Sequence, residues 1–531
     1  MIVSGAQMRQ LDQEIIRRGV RPEALMEVVG LSVAKAVMRI RQEAQQNASA
    51  VTRPCCHIVA GKGHNGADGY VTGRYLVAAG WRVVAWQTVK SELLSPLCAQ
   101  QQRAFIAMGG VMAAATDNLA DADVVVDAIL GIATRLPVED SLRVWLRAIR
   151  SVACPIVAID LPSGVHADDG RVDDDAIKAD VTVTCGVGKQ GLYQYPGRLY
   201  AGQVEIAPLG ITDALLEAYG CTTRLMDAKA ATRLWRPRVA DSHKGTYGRA
   251  GVCAGSPGMY GAARLALSAT SKAGAGLVKY LAATEVMQSL GAALPPEIVT
   301  HAVGEHQSGH LNAEAVVAYA AVLEECTAGL LGPGIGAEWV ALATHSPEAL
   351  TVLSTVPRPL VLDATALSMI ACLPDKGAAF WRSRKGPTVI TPHPKECSRL
   401  TGLSVAEIQS KRIEVAESYA QTHGIIVVLK GAATVIADAD GRVAINSSGN
   451  SGLATAGTGD VLAGLVTGML ASGYEAYAAA RLGVYLHGRS AEIACEHGVS
   501  EESLTASDVL DHVGAVWQEM RNAASTNSPG N

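Results

Sequence analysis

The sequence predicts two α/β domains in tandem, each a mostly parallel sheet covered by helices on both faces. Three observations carry that expectation. A chain of 531 residues is too long for one ordinary core. Short β-branched runs alternate with segments of helical periodicity, and the alternation starts twice. Aromatic residues make up only 4%, with two phenylalanines, so the cores must be built from Ala, Val, Leu and Ile. That composition favours α/β layers over an aromatic-rich sandwich.

Residues 1 to about 50 read as helices, because Met8, Leu11 and Ile15, and later Leu25, Val28 and Val29, recur at near-helical spacing. A strand at Cys56–Ala60 precedes a helix from Asp68 to Ala79. Strands WRVVAW, Ala122–Leu130 and Pro155–Asp160 follow, with a helix over 141–150 before the last of them. Uninterrupted Val/Ile runs of this kind belong to parallel strands buried on both faces. VTVTCG and GQVEIAPLG complete the first sheet, and the first domain is expected to span residues 1–215. The second series opens with strand AGVCA, a Gly-rich loop, a helix over 261–273 and strand LVKYLA. Further strands are expected at Ala328–Leu331, Pro359–Asp363, Thr388–Thr391 and Ile425–Lys430, with helices over 312–325, 404–422, 459–472 and 475–497. The second domain then spans 226–523, and residues 524–531, ASTNSPGN, are expected to form a disordered tail.

Composition narrows the function. With 45 basic and 50 acidic residues, a net charge of −5 and no basic block, no nucleic-acid partner is expected. No window of ~18 uncharged apolar residues occurs, so no membrane partner is expected. Nothing in the first residues resembles a signal peptide, and a cytoplasmic location follows as an expectation. Eleven cysteines, odd in number and without C-x-x-C, read as free thiols of a reducing compartment. His301, His306 and His310 lack an H-E-x-x-H frame, and the acidic loop ADDGRVDDD lacks an EF-hand frame and reads as a solvated turn.

The first motif is AGKGHNGADGY. It places Gly61, Gly63 and Gly66 as G-x-G-x-x-G between a strand and a helix, where backbone N–H groups hold phosphate. The next strand ends in Trp86, Gln87 and Thr88, with no carboxylate for a ribose, which disfavours an ordinary dinucleotide dehydrogenase. Two more strand ends are polar: VDAILG carries Asp127, and AIDLPSG carries Asp160 and Ser163. Oxygens from Asn, Asp and Ser suit an alkali or alkaline-earth cation and not zinc.

In order, GKGHNGADG, VDAILG, IDLPSG and CGVGKQGL resemble the signature loops of the NAD(P)H-hydrate epimerases over about residues 4–212. The resemblance implies a Rossmann-like doubly wound sheet and a potassium ion held by Asn65, Asp127 and Ser163. It also implies ligand contacts from His64, Asn65, Gly66, Ala67, Asp68, Gly131, Arg135 and Asp160. Asp160 and Lys189 are the candidates for proton handling at the hydrated carbon. The family loop usually reads N-N-G-G-D-G, and here His64 and Ala67 replace Asn and Gly. The Ala67 methyl is expected to narrow the loop where its backbone meets ligand. The double reversion His64→Asn plus Ala67→Gly should then speed a slow epimerase several-fold.

In the second half, GLATAGTGDVLAGLVTGML sets Gly457, Thr458 and Gly459 before Asp460 at the start of an apolar helix. The N–H groups form an anion hole, and the aspartate can take a proton from a hydroxyl attacking phosphate. With SHKGTYG, GMYGAA, GPGIG, LDATAL, TPHPKE and LKGAAT, the string resembles the ribokinase-like fold and, within it, ADP-dependent NAD(P)H-hydrate dehydratases. That likeness implies a nucleotide held by Lys430, Gly431, Ala432, Ala433, Thr434 and Gly459. Ala262, Gly334, His393 and Asp460 would contact the hydrated nicotinamide, with Asp460 as catalytic base. Thr365 departs from the family's usual second Asp in D-A-D-A-L. Together the two resemblances imply a bifunctional isomerase and lyase that repairs hydrated NADH and NADPH. Its implied co-substrate is ADP with magnesium, its partners are small molecules, and a homo-oligomer is expected. The competing reading is a ribokinase-like small-molecule kinase with a non-catalytic N-terminal binding domain.

Overall fold

The computed structural model describes residues 1–44, 53–114, 117–303, 313–336, 338–345 and 347–526. The chain divides into two compact units, Met1–Thr223 and Arg224–Asn531. His306, His310 and residues 527–531 lie outside the described residues.

The strands of the first unit are β1 (Ile2–Val3), β2 (Cys55–Ala60), β3 (Arg82–Gln87), β4 (Val111–Met112), β5 (Val124–Ala128), β6 (Ile156–Ile159), β7 (Val181–Cys185), β8 (Gly188–Lys189) and β9 (Gln203–Ala207). Seven of them form a parallel sheet in the order β4-β3-β2-β5-β6-β7-β9. β2 and β5 are buried along their whole length, as strands covered on both faces must be. The strand order reverses between these two, so a crevice opens at their carboxyl ends. β1 pairs with β8 and aligns Val3 with Lys189.

Three helices shape that crevice: α1 (Gly5–Arg17), α2 (Pro22–Ala44) and α3 (His64–Ala78). A Ser4–Gln7 capping box starts α1. α3 starts at His64, four residues before the expected Asp68, because its polar first turn has no apolar period to read. The acidic loop is not the solvated turn expected. Asp173 and Asp175 are buried and bonded to Arg143 of the helix Asp140–Arg150, and Asp175 also to Arg147. Asp168 Oδ1 accepts the N–H of Gly5 at 2.5 Å.

The second unit is built on β10 (Thr223–Met226), β11 (Arg249–Cys253), β12 (Leu277–Ala283), β13 (Val299–Val303), β14 (Ala328–Leu331), β15 (Leu360–Leu362), β16 (Thr388–Ile390), β17 (Ile426–Leu429), β18 (Val435–Ala437) and β19 (Val443–Asn446). Their order is β10-β19-β18-β17-β16-β15-β14-β11-β12-β13 among the described residues. Neighbours from β17 to β13 pair in parallel, and β17-β18-β19 are antiparallel. The helix expected over 404–422 is two helices, Val405–Ser410 and Arg412–His423, with a break at Lys411. The last helix runs from Ala506 to Thr526, three residues into the expected tail, where Ala523 and Ala524 favour helix.

The helix Thr458–Ala471 is buried on all sides beyond its first turn. Gly464 and Gly468 let it touch the helix Tyr260–Lys272: an added Cβ would stand 2.4 Å from Ala266 O or Thr270 O. No helix among the described residues is long and apolar enough to cross a membrane.

Candidate active sites

In the first unit the crevice is a cavity of about 790 Å³. Asp12 of α1, Met26 of α2 and His64, Asn65 and Asp68 of α3 line it, with Gly131 and Arg135 after β5 and Asp160 after β6. Two glycines of the loop are demanded by backbone packing. A Cβ on Gly61 would lie 2.2 Å from Ile129 O, and one on Gly66 would lie 2.0 Å from Gly61 O.

Gly66 and Ala67 are not among the residues lining the cavity. The Ala67 methyl is fully buried in the core under the sheet, and its N–H is bonded to Gly63 O at 3.1 Å. The expected narrowing of the ligand loop by Ala67 is therefore wrong: the helix starts early and turns that side chain inward. Ala67→Gly should leave kcat/KM unchanged and cost roughly 1–2 kcal/mol of stability, from the lost methyl and the helical glycine. Denaturant unfolding beside an epimerisation assay checks this, and a faster variant would mean that the Ala67 methyl does obstruct the ligand loop.

Asn65, Asp127 and Ser163 meet around Leu130. Ser163 Oγ and its N–H both donate to the Asp127 carboxylate at 2.7 Å. Leu130 N–H donates to Ser163 Oγ at 2.9 Å, and Asn65 Nδ2 donates to Leu130 O at 3.0 Å. Burial pushes the Asp127 carboxyl up to about 6 against the hydrogen bonds from Ser163 and Ile129.

Asp160 adopts a left-handed backbone, φ 67°, and lies 2.6 Å from the Lys189 ammonium. Lys189 Nζ also donates to Thr184 Oγ1 at 3.1 Å and Cys185 O at 2.7 Å. Its three protons are spent, its side chain is fully buried, and it is absent from the cavity wall. The expectation that Lys189 handles a substrate proton is thus corrected: it fixes Asp160, whose Oδ2 accepts the Ile132 N–H at 3.1 Å. Asp12 escaped the sequence reading because it belongs to no motif. The one signal was an aspartate beside the apolar face of Met8, Leu11 and Ile15.

In the second unit, loops at the carboxyl ends of β14 to β17 converge. Lys430 Nζ donates to Asp363 Oδ1 at 2.8 Å and lies 3.9 Å from Glu396 Oε2. Thr391 Oγ1 donates to the same Asp363 oxygen at 2.7 Å. Burial pulls the Lys430 ammonium down, but Asp363 and Glu396 outweigh it and hold its pKa above the usual lysine value. Asp460 is pushed up to about 7, by burial first and by Asp363 second, with Lys430 opposing.

Gly457 caps the helix Thr458–Ala471, and a Cβ on Gly459 would sit 3.4 Å from Lys430 Nζ, so the lysine lies over the helix tip. Gly334 has φ 61°, and a Cβ there would meet Ala262 Cβ at 2.7 Å, which puts these two expected contact residues together. Thr365 Oγ1 donates to Ile335 O at 2.5 Å and ties its loop to GPGIG. His393 caps the helix Pro394–Thr401: its Nδ1 accepts from Lys395 N and Glu396 N, so the ring proton sits on Nε2. Burial and Lys430 keep the ring neutral by lowering its pKa. Of the nucleotide loop, Gly431 and Ala432 are exposed, Ala433 and Thr434 half-buried. Asp363 and Glu396 were not singled out by sequence; the capping box in TPHPKE was the available signal for Glu396.

Residues 22–191 match the family model described as YjeF-related protein N-terminus, and residues 250–512 the one described as NAD(P)H-hydrate dehydratase. A bifunctional NAD(P)H-hydrate repair enzyme of Moorella thermoacetica is 34% identical over 539 residues, covering 99% of this chain and 98% of its own. This chain belongs to the bifunctional NAD(P)H-hydrate repair enzymes. The Escherichia coli member of these repair enzymes is 33% identical over 482 residues, 90% of this chain and 88% of its own. Among solved structures, the ADP/ATP-dependent NAD(P)H-hydrate dehydratase of Bacillus subtilis, co-crystallised with ATP and Mg²⁺, is 30% identical. It covers 56% of this chain and 98% of its own, with a TM-score of 0.46. The two family matches of this repair enzyme fall in separate units, one in each.

Proposed function

We propose that this chain returns hydrated NADH and NADPH to the reduced cofactors. The first unit interconverts the R and S hydrates, and the second removes the hydroxyl of the S form at the expense of ADP. The observation that carries the reading is Asp460, poised at about 7 on the tip of a buried helix beside Lys430. A base with that pKa is half ionised at neutral pH and is matched to a hydroxyl nucleophile.

ADP enters as its magnesium complex. Its phosphates lie on the free N–H groups of Thr458, Gly459 and Asp460 and against Lys430, and Gly431 to Thr434 carry the rest of the nucleotide. Asp460 takes the hydrate's hydroxyl proton as that oxygen bonds to the terminal phosphorus and AMP leaves. Phosphate then departs with a ring proton, and the double bond of the dihydropyridine re-forms. The test is a mixture of R and S hydrates with ADP and Mg²⁺, followed by dihydropyridine absorbance. Complete conversion with one AMP per hydrate is expected. Conversion that halts when the S form is gone removes the epimerase, and phosphorylation of a vitamin precursor in place of the hydrate establishes the kinase.

The Asn65, Asp127 and Ser163 cluster fits an alkali cation: its donors are all oxygens, and the buried Asp127 carboxylate is supported only by hydrogen bonds. A bound potassium ion would supply positive charge beside the loop that holds the hydrate. The full chain should melt higher in potassium than in choline chloride, by roughly 2–4 °C for each kcal/mol of binding free energy. Asp127→Ala should abolish the difference, and identical wild-type melting in the two salts would leave the cluster without an ion.

A further inference from the structure

The cavity of the first unit holds two carboxyl groups that are not tied into the Asp160–Lys189 pair. Asp12 of α1 lines it, and its carboxyl makes no hydrogen bond or ion pair among the described residues. Asp68 of α3 lines it as well, is only 7% exposed, and has an Oδ1 that is buried without a partner. Each feels the charge of Asp160, and Asp68 feels that of Asp12, so the three carboxyls and Lys189 form one cluster. Fully ionised, that cluster would carry two uncompensated negative charges out of water, which burial does not allow. The environment instead separates the two free members. Burial, then Asp160 and Asp12, push Asp68 well above the usual carboxylate range, whereas burial lifts Asp12 only to about 6. Burial thus favours the protonated carboxyl more strongly at Asp68 than at Asp12, and the two reach the same cavity from different helices.

We propose that Asp12 and Asp68 are the acid–base pair that epimerises the hydrate. The proposal rests on the reading of the first unit as an epimerase. Hydration of the dihydropyridine's enamine bond puts the hydroxyl on the carbon bonded to the ring nitrogen. Asp68 gives its proton to that hydroxyl, the C–O bond breaks, water leaves, and the nitrogen lone pair forms a C=N bond. A second water adds to the opposite face, its oxygen bonds to the carbon, one of its protons goes to the Asp12 carboxylate, and the C=N electrons return to nitrogen. Asp12 passes its proton back to Asp68 through water, and the reverse reaction uses the two in exchanged roles. Asp160 and Lys189, locked to each other, are positioning residues in this scheme.

The experiment uses the full chain without ADP, so that the second unit is idle, and follows a single epimer by chromatography. Asp12→Asn and Asp68→Asn should each lower kcat by about 100-fold or more with KM little changed. Formate should restore part of the rate to Asp12→Ala, which a purely structural aspartate would not allow. In ¹⁸O-water the wild-type chain should place one solvent oxygen in the hydrate per inversion. Variants within about threefold of an active wild type, or a product that keeps its original oxygen, overturn the assignment alone. A wild-type chain that inverts neither epimer overturns the epimerase reading and this assignment with it.

Discussion

Asp460→Asn should abolish dehydration while the nucleotide still binds. The amide keeps the size of the carboxylate but cannot accept the hydroxyl proton, so turnover should fall by roughly 100-fold or more. Nucleotide affinity should stay close to wild type, because Lys430 and the N–H groups of the helix tip remain. The pH profile gives a second reading. The Asp460 carboxyl is held at about 7, by burial first and Asp363 second, and it works only when ionised. Wild-type kcat/KM should therefore fall about tenfold per unit below pH 7 and level off above it, and the asparagine variant should lose this limb. A variant that turns over within about tenfold of wild type would remove Asp460 from the chemistry.

Lys189→Met should have the largest effect on stability. It removes the cation from a buried pair and leaves the Asp160 carboxylate facing only neutral donors, on a left-handed backbone. Breaking such a pair costs ~3–5 kcal/mol. The loss should appear in the unfolding of the first unit, with faster hydrogen exchange along β6, β7 and β8. Epimerisation should go with it, while dehydration of the S hydrate persists. Adding Asp160→Asn should recover part of the stability, because the orphaned charge is then gone. A single variant within about 1 kcal/mol of wild type would mean that the pair contributes little.

What could be read from the sequence was whatever repeats or clusters. The central strands β2, β5, β6 and β17 were visible as Val/Ile runs, and the Gly-rich loops stood out between strand and helix. The edge strand β13, half exposed with Thr300 and His301 in it, carries no such run. β18 and β19 were missed although Asp440-Gly441 marks the turn between them. The site shows the same division. Asp460 and the Asn65, Asp127 and Ser163 set sit in motifs, whereas Asp12 and Asp363 acquire meaning only from residues far along the chain. Ala67 was misjudged because spacing gave its place in the loop but not the direction of its methyl, which depends on where α3 begins.

The helix that carries Asp460 in its first turn has consequences for how such a chain can change over generations. Nearly every residue of Thr458–Ala471 is buried, and two of its glycines press against a neighbouring helix backbone. Substitutions along it meet the core before they meet the substrate, so selection for fold and selection for catalysis act on the same positions. The exposed Ala432 and the half-exposed Met259 are free of that coupling. Divergence in what the second unit binds should accumulate in those loops, while the chemistry at the helix tip stays fixed by its packing.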